Sequence, residues 1–348
     1  MSSTAVCVRP VRASSGRFNE ALRLAASVVD CTISDWIARH PADQRQLLEA
    51  ALIPGRRIRP AILWLLVRGD TEFDGRGPAY SGLRDLLLAV ELLHRASLLV
   101  DDALDLEGRN RGNWTFYAKN GFGRTGLTSH LLVSSALELL PPGFDLVSTY
   151  TAMCNAEYAD IGLCGCGTDL LSCYREHVLP KTNRLFEVII PWAAQFHLNI
   201  DPQFKPAALG KHLGNLFQIS NDYFQDKRQH STQAANGIRV TLDLWAALAA
   251  EDENLHGVVK GVLGKVVSSQ AYADYRANIS SSTTARDASD MLSNAYAVVL
   301  EQLVHAPLQW QEILAGMAFW ILSGECWDDL PSEYMLLEEL SLHRCLTE

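Results

Sequence analysis

Apolar residues recur at intervals of three and four along most of this chain, the spacing that gives a helix one apolar face. The stretches are 18–29, 47–52, 83–104, 128–140, 147–163, 185–196 and 209–224, followed by 242–250, 255–267, 288–304 and 310–322. Strict alternation bounded by Asn-Gly or Asp-Gly turns is scarce, so the pattern does not predict a sheet. Polar and Gly/Pro-rich breaks fall at 69–82, 108–124, 141–143, 201–206 and 227–237. None reads as a long interdomain linker, and there is no repeat of solenoid period. The pattern predicts one all-α domain over residues 17–348, a helical bundle around a central cavity. Residues 1–16, basic and rich in serine, read as a disordered arm.

Composition narrows the function classes. The 348 residues are 48% hydrophobic, ample for a sizeable core, and carry a net charge of -10. Lysine and arginine form no long runs, which argues against affinity built on phosphate neutralisation along a nucleic acid. No apolar stretch reaches the ~18–20 residues of a membrane-spanning helix; the longest, near 86–100, contains Glu91, His94 and Arg95. Eight scattered cysteines without a secretory signal fit reduced thiols and a cytoplasmic protein. Cys164, Cys166 and Cys173 lack the paired spacing of a zinc site.

Two acidic clusters carry the chemistry. Asp101-Asp102-Ala103-Leu104-Asp105 ends a long apolar run. On a helix Asp101 and Asp105 share a face one turn apart, and Asp102 and Asp105 are an i, i+3 pair. Three close carboxylates in apolar surroundings need a cation to offset repulsion and desolvation. Magnesium suits them, because it takes hard oxygen ligands and commonly bridges a few carboxylates to substrate phosphates. The second cluster, in Phe217-Gln-Ile-Ser-Asn-Asp-Tyr-Phe-Gln-Asp226, sets Asp222 and Asp226 one turn apart, with Asn221 and Gln225 a second pair. With only two anions, it is expected to hold metal more weakly than the first. Candidate phosphate binders are the arginines of Gly55-Arg-Arg-Ile-Arg-Pro60, then Arg111, and Lys181-Thr182 opening a helix whose positive end favours an anion. His94 lies seven residues before Asp101 on the same helix face.

These motifs, in this order from about residue 52 to 244, resemble those of the trans-isoprenyl diphosphate synthases, such as the farnesyl and geranylgeranyl diphosphate synthases. The resemblance implies the isoprenoid synthase fold, a prenyl-binding cavity, Mg2+ as cofactor and a homodimer. It assigns Asp101, Asp102 and Asp105 to a first metal site, and Asp222 and Asp226 to a second. It assigns Lys181, Thr182 and Gln218 to an allylic diphosphate, and Arg56, Arg59, His94 and Arg111 to the second substrate's diphosphate. Asn221 and Arg239 fall at further substrate positions. The chain also departs from the pattern. Asn221 stands where the second motif begins with aspartate, and Gln225 at its end. Asn110 stands for one of two paired arginines, unless Arg109 replaces it. Trp114 and Tyr117 stand for a proline and a histidine.

The departures lead to an expectation of a divergent member similar to the fungal indole-diterpene prenyltransferases. Its substrates would be geranylgeranyl diphosphate and a phosphate-bearing acceptor, indole-3-glycerol phosphate, packed by Trp114 and Tyr117. The alternative is a geranylgeranyl or farnesyl diphosphate synthase using isopentenyl diphosphate, for which small residues Ala96 and Ser97 leave room for a long chain. Further alternatives are a class I terpene cyclase and a non-catalytic synthase subunit.

Overall fold

The computed structural model describes residues 11–53, 55–68, 78–106, 108–110, 113–162, 174–175, 179–197, 200–228, 270 and 284–324. Among them run ten helices: α1 (Val11–Ile37), α2 (Ala42–Leu52), α3 (Ile58–Arg68), α4 (Pro78–Leu104), α5 (Phe116–Glu138), α6 (Val147–Gly162), α7 (Pro180–Ala194), α8 (Pro206–Arg228), α9 (Thr284–Leu303) and α10 (Leu308–Leu322). A two-residue hairpin, β1 (Arg109–Asn110) with β2 (Asn113–Trp114), is the one sheet among these residues. The fold is all-α, as the periodicity predicts. The expected helices at 242–250 and 255–267 and the cysteines at 164, 166 and 173 lie outside the described residues.

Two boundaries differ from the sequence reading. Helix α1 begins at Val11, inside the segment expected to be a disordered arm. Once a helix is nucleated, each added residue gains a hydrogen bond for the two dihedrals it fixes, so the helix from Phe18 propagates backward. The second difference is at 108–124, expected to be a loop. There the hairpin pairs Arg109 with Trp114, and Thr115 then caps α5 by accepting a hydrogen bond from the Ala118 N–H at 3.1 Å. Gly121, at φ 75°, breaks the helical path inside α5, which is why the apolar period is legible only beyond it.

Helix α3 is the hub. Residues from Ile58 to Val67 are buried on nearly every side except at Leu65, the signature of a helix surrounded by others. It packs on α1, α4, α7 and α10. Helix α4 lies along α5, burying Leu86, Leu87, Val90 and Leu93, and α7 lies along α8. The α3 entry is fixed by Arg57, held at φ 57°. Its guanidinium bonds Asp30 at 2.7 Å, Glu91 at 2.8 Å and the Ile53 carbonyl at 3.1 Å, offsetting the left-handed backbone. No described helix is long and apolar enough to cross a membrane.

The α7–α8 contact positions the site. Gly210, Gly214, Gln218 and Asp222 recur every four residues and so share one stripe of α8. The two glycines let the backbones close together. A Cβ on Gly210 would stand 2.2 Å from the Phe186 carbonyl oxygen, and one on Gly214 2.3 Å from the Asn183 Cα. The same stripe then brings Gln218 against the first turn of α7, with Asp222 one turn further on and bonded to it.

Candidate active site

Helix α4 carries the first cluster out of the core. Ala96 and Leu99 are buried, Asp101 and Asp102 are partly buried, and the helix ends at Leu104. Asp105 follows, also partly buried, its N–H donating to the Asp101 carbonyl at 2.9 Å, so the three aspartates stay within one turn. Leu106, at φ 52°, then turns the chain toward the hairpin.

Lys181 and Thr182, consecutive residues in the first turn of α7, join the two clusters. The Lys181 ammonium lies 2.5 Å from Asp101 Oδ1 and 2.8 Å from Glu157 Oε2 of α6. The Thr182 hydroxyl donates to Gln218 Oε1. The Gln218 amide donates to Asp222 Oδ1 at 2.8 Å, and the Tyr174 hydroxyl donates to Asp222 Oδ2 at 2.7 Å. Adjacent Cα atoms are ~3.8 Å apart, so the Asp101 and Asp222 networks bracket one helix N-terminus. Pro180 occupies the first position of α7, and no side chain caps that end. Its amide dipoles therefore add to the Lys181 charge as an anion-attracting feature.

The second cluster is more enclosed than the sequence suggests. Asp222 is buried, both of its oxygens accept hydrogen bonds, and Asn221 is partly buried beside it. The Asp226 side chain lies outside the described residues, as do Arg111 and Arg239.

A third group lies between α3, α4 and α7. Arg59 is buried and its NH1 donates to His94 Nε2 at 2.8 Å. Its Cζ sits 5.3 Å from the Phe186 ring centroid and 5.6 Å from that of Phe217, two rings whose centroids are 5.9 Å apart, so the cation rests against a pair of neighbouring aromatic rings. Burial draws the Arg59 guanidinium down to about 10, with Glu91 pulling the other way, so it stays charged at neutral pH. Burial, and then the charges of Arg59, Arg95 and Arg57, hold His94 well below the usual histidine range. Neutral His94 is thus the acceptor in this pair, since arginine has no acceptor to offer. Arg56 is partly buried at the start of the same loop.

Sequence reading misses three side chains here. Glu157 and Tyr174 stand in no motif, and only the packing of α6 and of the turn before α7 brings them in. Glu91 shows in sequence only as a charge interrupting an apolar run; it is buried against Arg57, burial raises its pKa, and Arg57 opposes that most strongly. The glycine stripe is legible as a four-residue period. Trp114, expected to pack an aromatic acceptor, is 56% exposed and has the Arg109 guanidinium 4.4 Å from its ring centroid.

The donor set fits magnesium rather than a softer metal. Asp101, Asp102 and Asp105 offer hard oxygens, while no three His, Cys, Asp or Glu side chains among the described residues converge as a metal cage. Magnesium sites of this kind take one or two carboxylates and complete the shell with water and substrate phosphates.

Comparison with known proteins agrees with the geometry. The chain resembles geranylgeranyl diphosphate synthases from Pantoea ananas, 35% identical over 102 residues, and Pseudescherichia vulneris, 40% identical over 100 residues. These matches cover 29% and 28% of this chain and 30% and 31% of the relatives, so the chain spans about a third of their length. Among solved structures, geranylgeranyl pyrophosphate synthetase from Pyrococcus horikoshii Ot3 superposes with a TM-score of 0.71 at 21% identity, covering 88% of this chain and 99% of that one. A decaprenyl diphosphate synthase from Rhodobacter capsulatus gives 0.72 at 17% identity, covering 88% and 98%. Both show the isoprenoid synthase fold. The profile described as polyprenyl synthetase matches residues 43–237, more than half of the chain, and the chain belongs to that family.

Proposed function

We propose that this chain is a magnesium-dependent prenyl diphosphate synthase, which ionises an allylic diphosphate at the α7 N-terminus and joins the prenyl group to isopentenyl diphosphate. The observation that carries the reading is the Lys181–Thr182 junction, where one helix turn touches both acidic motifs. Bound magnesium would neutralise charge on the departing diphosphate, without which the allylic C–O bond does not break readily. Asp101, Asp102 and Asp105 would hold it. Lys181 supplies an ammonium and the α7 dipole a positive end to the same diphosphate, with Thr182 and Gln218 fixing its approach. Arg56, Arg59, His94 and Arg111 are assigned to the second diphosphate. The alkene of that substrate attacks the allylic carbon, a C–C bond replaces the broken C–O bond, and loss of a proton restores the neutral chain. Apolar side chains such as Leu99 and Ala103 keep water from the cation.

The elongating alternative displaces the expected indole acceptor. The similar proteins are named as geranylgeranyl and longer prenyl diphosphate synthases, and the Trp114 face meant for an indole carries Arg109. Geranylgeranyl diphosphate is the product proposed, the one named for the Pantoea ananas and Pseudescherichia vulneris relatives.

The test incubates purified protein with Mg2+, labelled isopentenyl diphosphate and geranyl or farnesyl diphosphate. The expected product is a longer labelled prenyl diphosphate. A prenylated indole formed only with indole-3-glycerol phosphate, or a hydrocarbon formed without any acceptor, contradicts the assignment.

A further inference from the structure

Lys181 sits directly on the first cluster. Its ammonium lies between Asp101 Oδ1 at 2.5 Å and Glu157 Oε2 at 2.8 Å, and all three side chains are at most a quarter exposed. A cation approaching Asp101 Oδ1 therefore meets another cation in contact with the same oxygen. We propose that Lys181 is the resident counter-cation of the first aspartate cluster, steadied by Glu157, and that it competes with divalent metal until a diphosphate draws the ammonium away. This rests on the reading of the α7 N-terminus as a diphosphate site.

The consequence is a coupling between metal and diphosphate. While Lys181 holds Asp101, only a fraction of molecules present an open carboxylate, and apparent metal affinity falls by that fraction. A diphosphate offers Lys181 several anionic oxygens and lets it leave without a buried, unpaired charge. Metal then gains Asp101 at the same step. Reciprocity requires that metal also tighten diphosphate. Glu157 is a positioning residue: it holds the ammonium beside the cluster but has no assigned contact with substrate.

The test measures Mn2+ binding to the full chain by electron paramagnetic resonance, with and without inorganic pyrophosphate. Mn2+ favours the same oxygen ligands as magnesium. Without pyrophosphate, Lys181→Gln is expected to bind Mn2+ roughly tenfold more tightly than wild type, because the competitor is gone. Glu157→Gln is expected to bind it several-fold more weakly, because the ammonium then leans harder on Asp101. A purely structural role for Lys181 weakens both variants. Lys181→Gln binding Mn2+ no better than wild type overturns the proposal. If that variant does not fold, as judged by its circular dichroism, Glu157→Gln binding as tightly as wild type or tighter overturns it instead. Wild type that fails to bind pyrophosphate even with Mn2+ refutes the diphosphate site itself, an outcome separate from the two variant results.

Discussion

Gly214→Ala tests the packing that brings the two halves of the site together. The new Cβ would lie 2.3 Å from the Asn183 Cα and 2.7 Å from the Asn183 Cβ. Carbon atoms pack at about 3.5–4.0 Å, so α7 and α8 must separate by more than ~1 Å at this turn. The obstructing atoms are the backbone and the first side-chain carbon, so rotamer change cannot relieve the clash. Overpacking of a core costs about 1–3 kcal/mol, and this site belongs at or above the top of that range. Alanine recovers about 1 kcal/mol of helix propensity over glycine, leaving a net loss of roughly 2 kcal/mol. Gly126 is the matched control: it lies in α5, where an added Cβ would meet nothing within 4 Å. Gly126→Ala should stabilise by up to ~1 kcal/mol. Urea unfolding of the three proteins reads both signs in one experiment. Gln218 lies one turn from Gly214, so Gly214→Ala should also raise KM for the allylic diphosphate. A Gly214→Ala midpoint equal to that of wild type, or raised like that of Gly126→Ala, refutes the close-approach argument.

Other consequences follow from single contacts. Asp101→Asn and Asp105→Asn should each lower kcat by roughly 10²–10³-fold at saturating Mg2+, because charge on the leaving group is neutralised mainly in the transition state; steady-state kinetics with labelled isopentenyl diphosphate check this. Arg57→Met leaves Glu91, 1% exposed, without its 2.8 Å partner and should cost about 3–5 kcal/mol at pH 7. Part of that loss should return at acidic pH as Glu91 takes up a proton, which denaturation at two pH values will read. His94 is neutral in the fold, whereas its unfolded form binds a proton below about pH 6.5. The unfolded state thus holds more protons as pH falls, and His94 contributes a stability loss of at most about 1.4 kcal/mol per pH unit below that point. His94→Gln should flatten the decline between about pH 6.5 and 5 in a urea titration series.

Much of this architecture is legible in the sequence for a local reason. A three-and-four period reports a buried helical face wherever the helix is regular, and Leu83, Leu86, Leu87 and Val90 are buried as that rule requires. It fails where backbone geometry intervenes, as at Gly121 in α5 and at the hairpin of Arg109 and Trp114. Asp101 and Gln218 stand out because their residue types are unusual within apolar runs. Glu157 and Tyr174 do not, since their meaning lies in partners far along the chain, Asp101 across Lys181 and Asp222 respectively. The three arginines near Gly55 look alike in sequence. Packing divides them, with Arg57 committed to Asp30 and Glu91 and Arg59 to His94.

A crystal structure of the protein with Mg2+ and an unreactive thiolo analogue of an allylic diphosphate tests the site most directly. The expected result is a metal between the Asp101–Asp105 turn and the diphosphate, with Lys181 Nζ moved from Asp101 to a phosphate oxygen. A diphosphate bound elsewhere, with Lys181 still seated between Asp101 and Glu157, contradicts it.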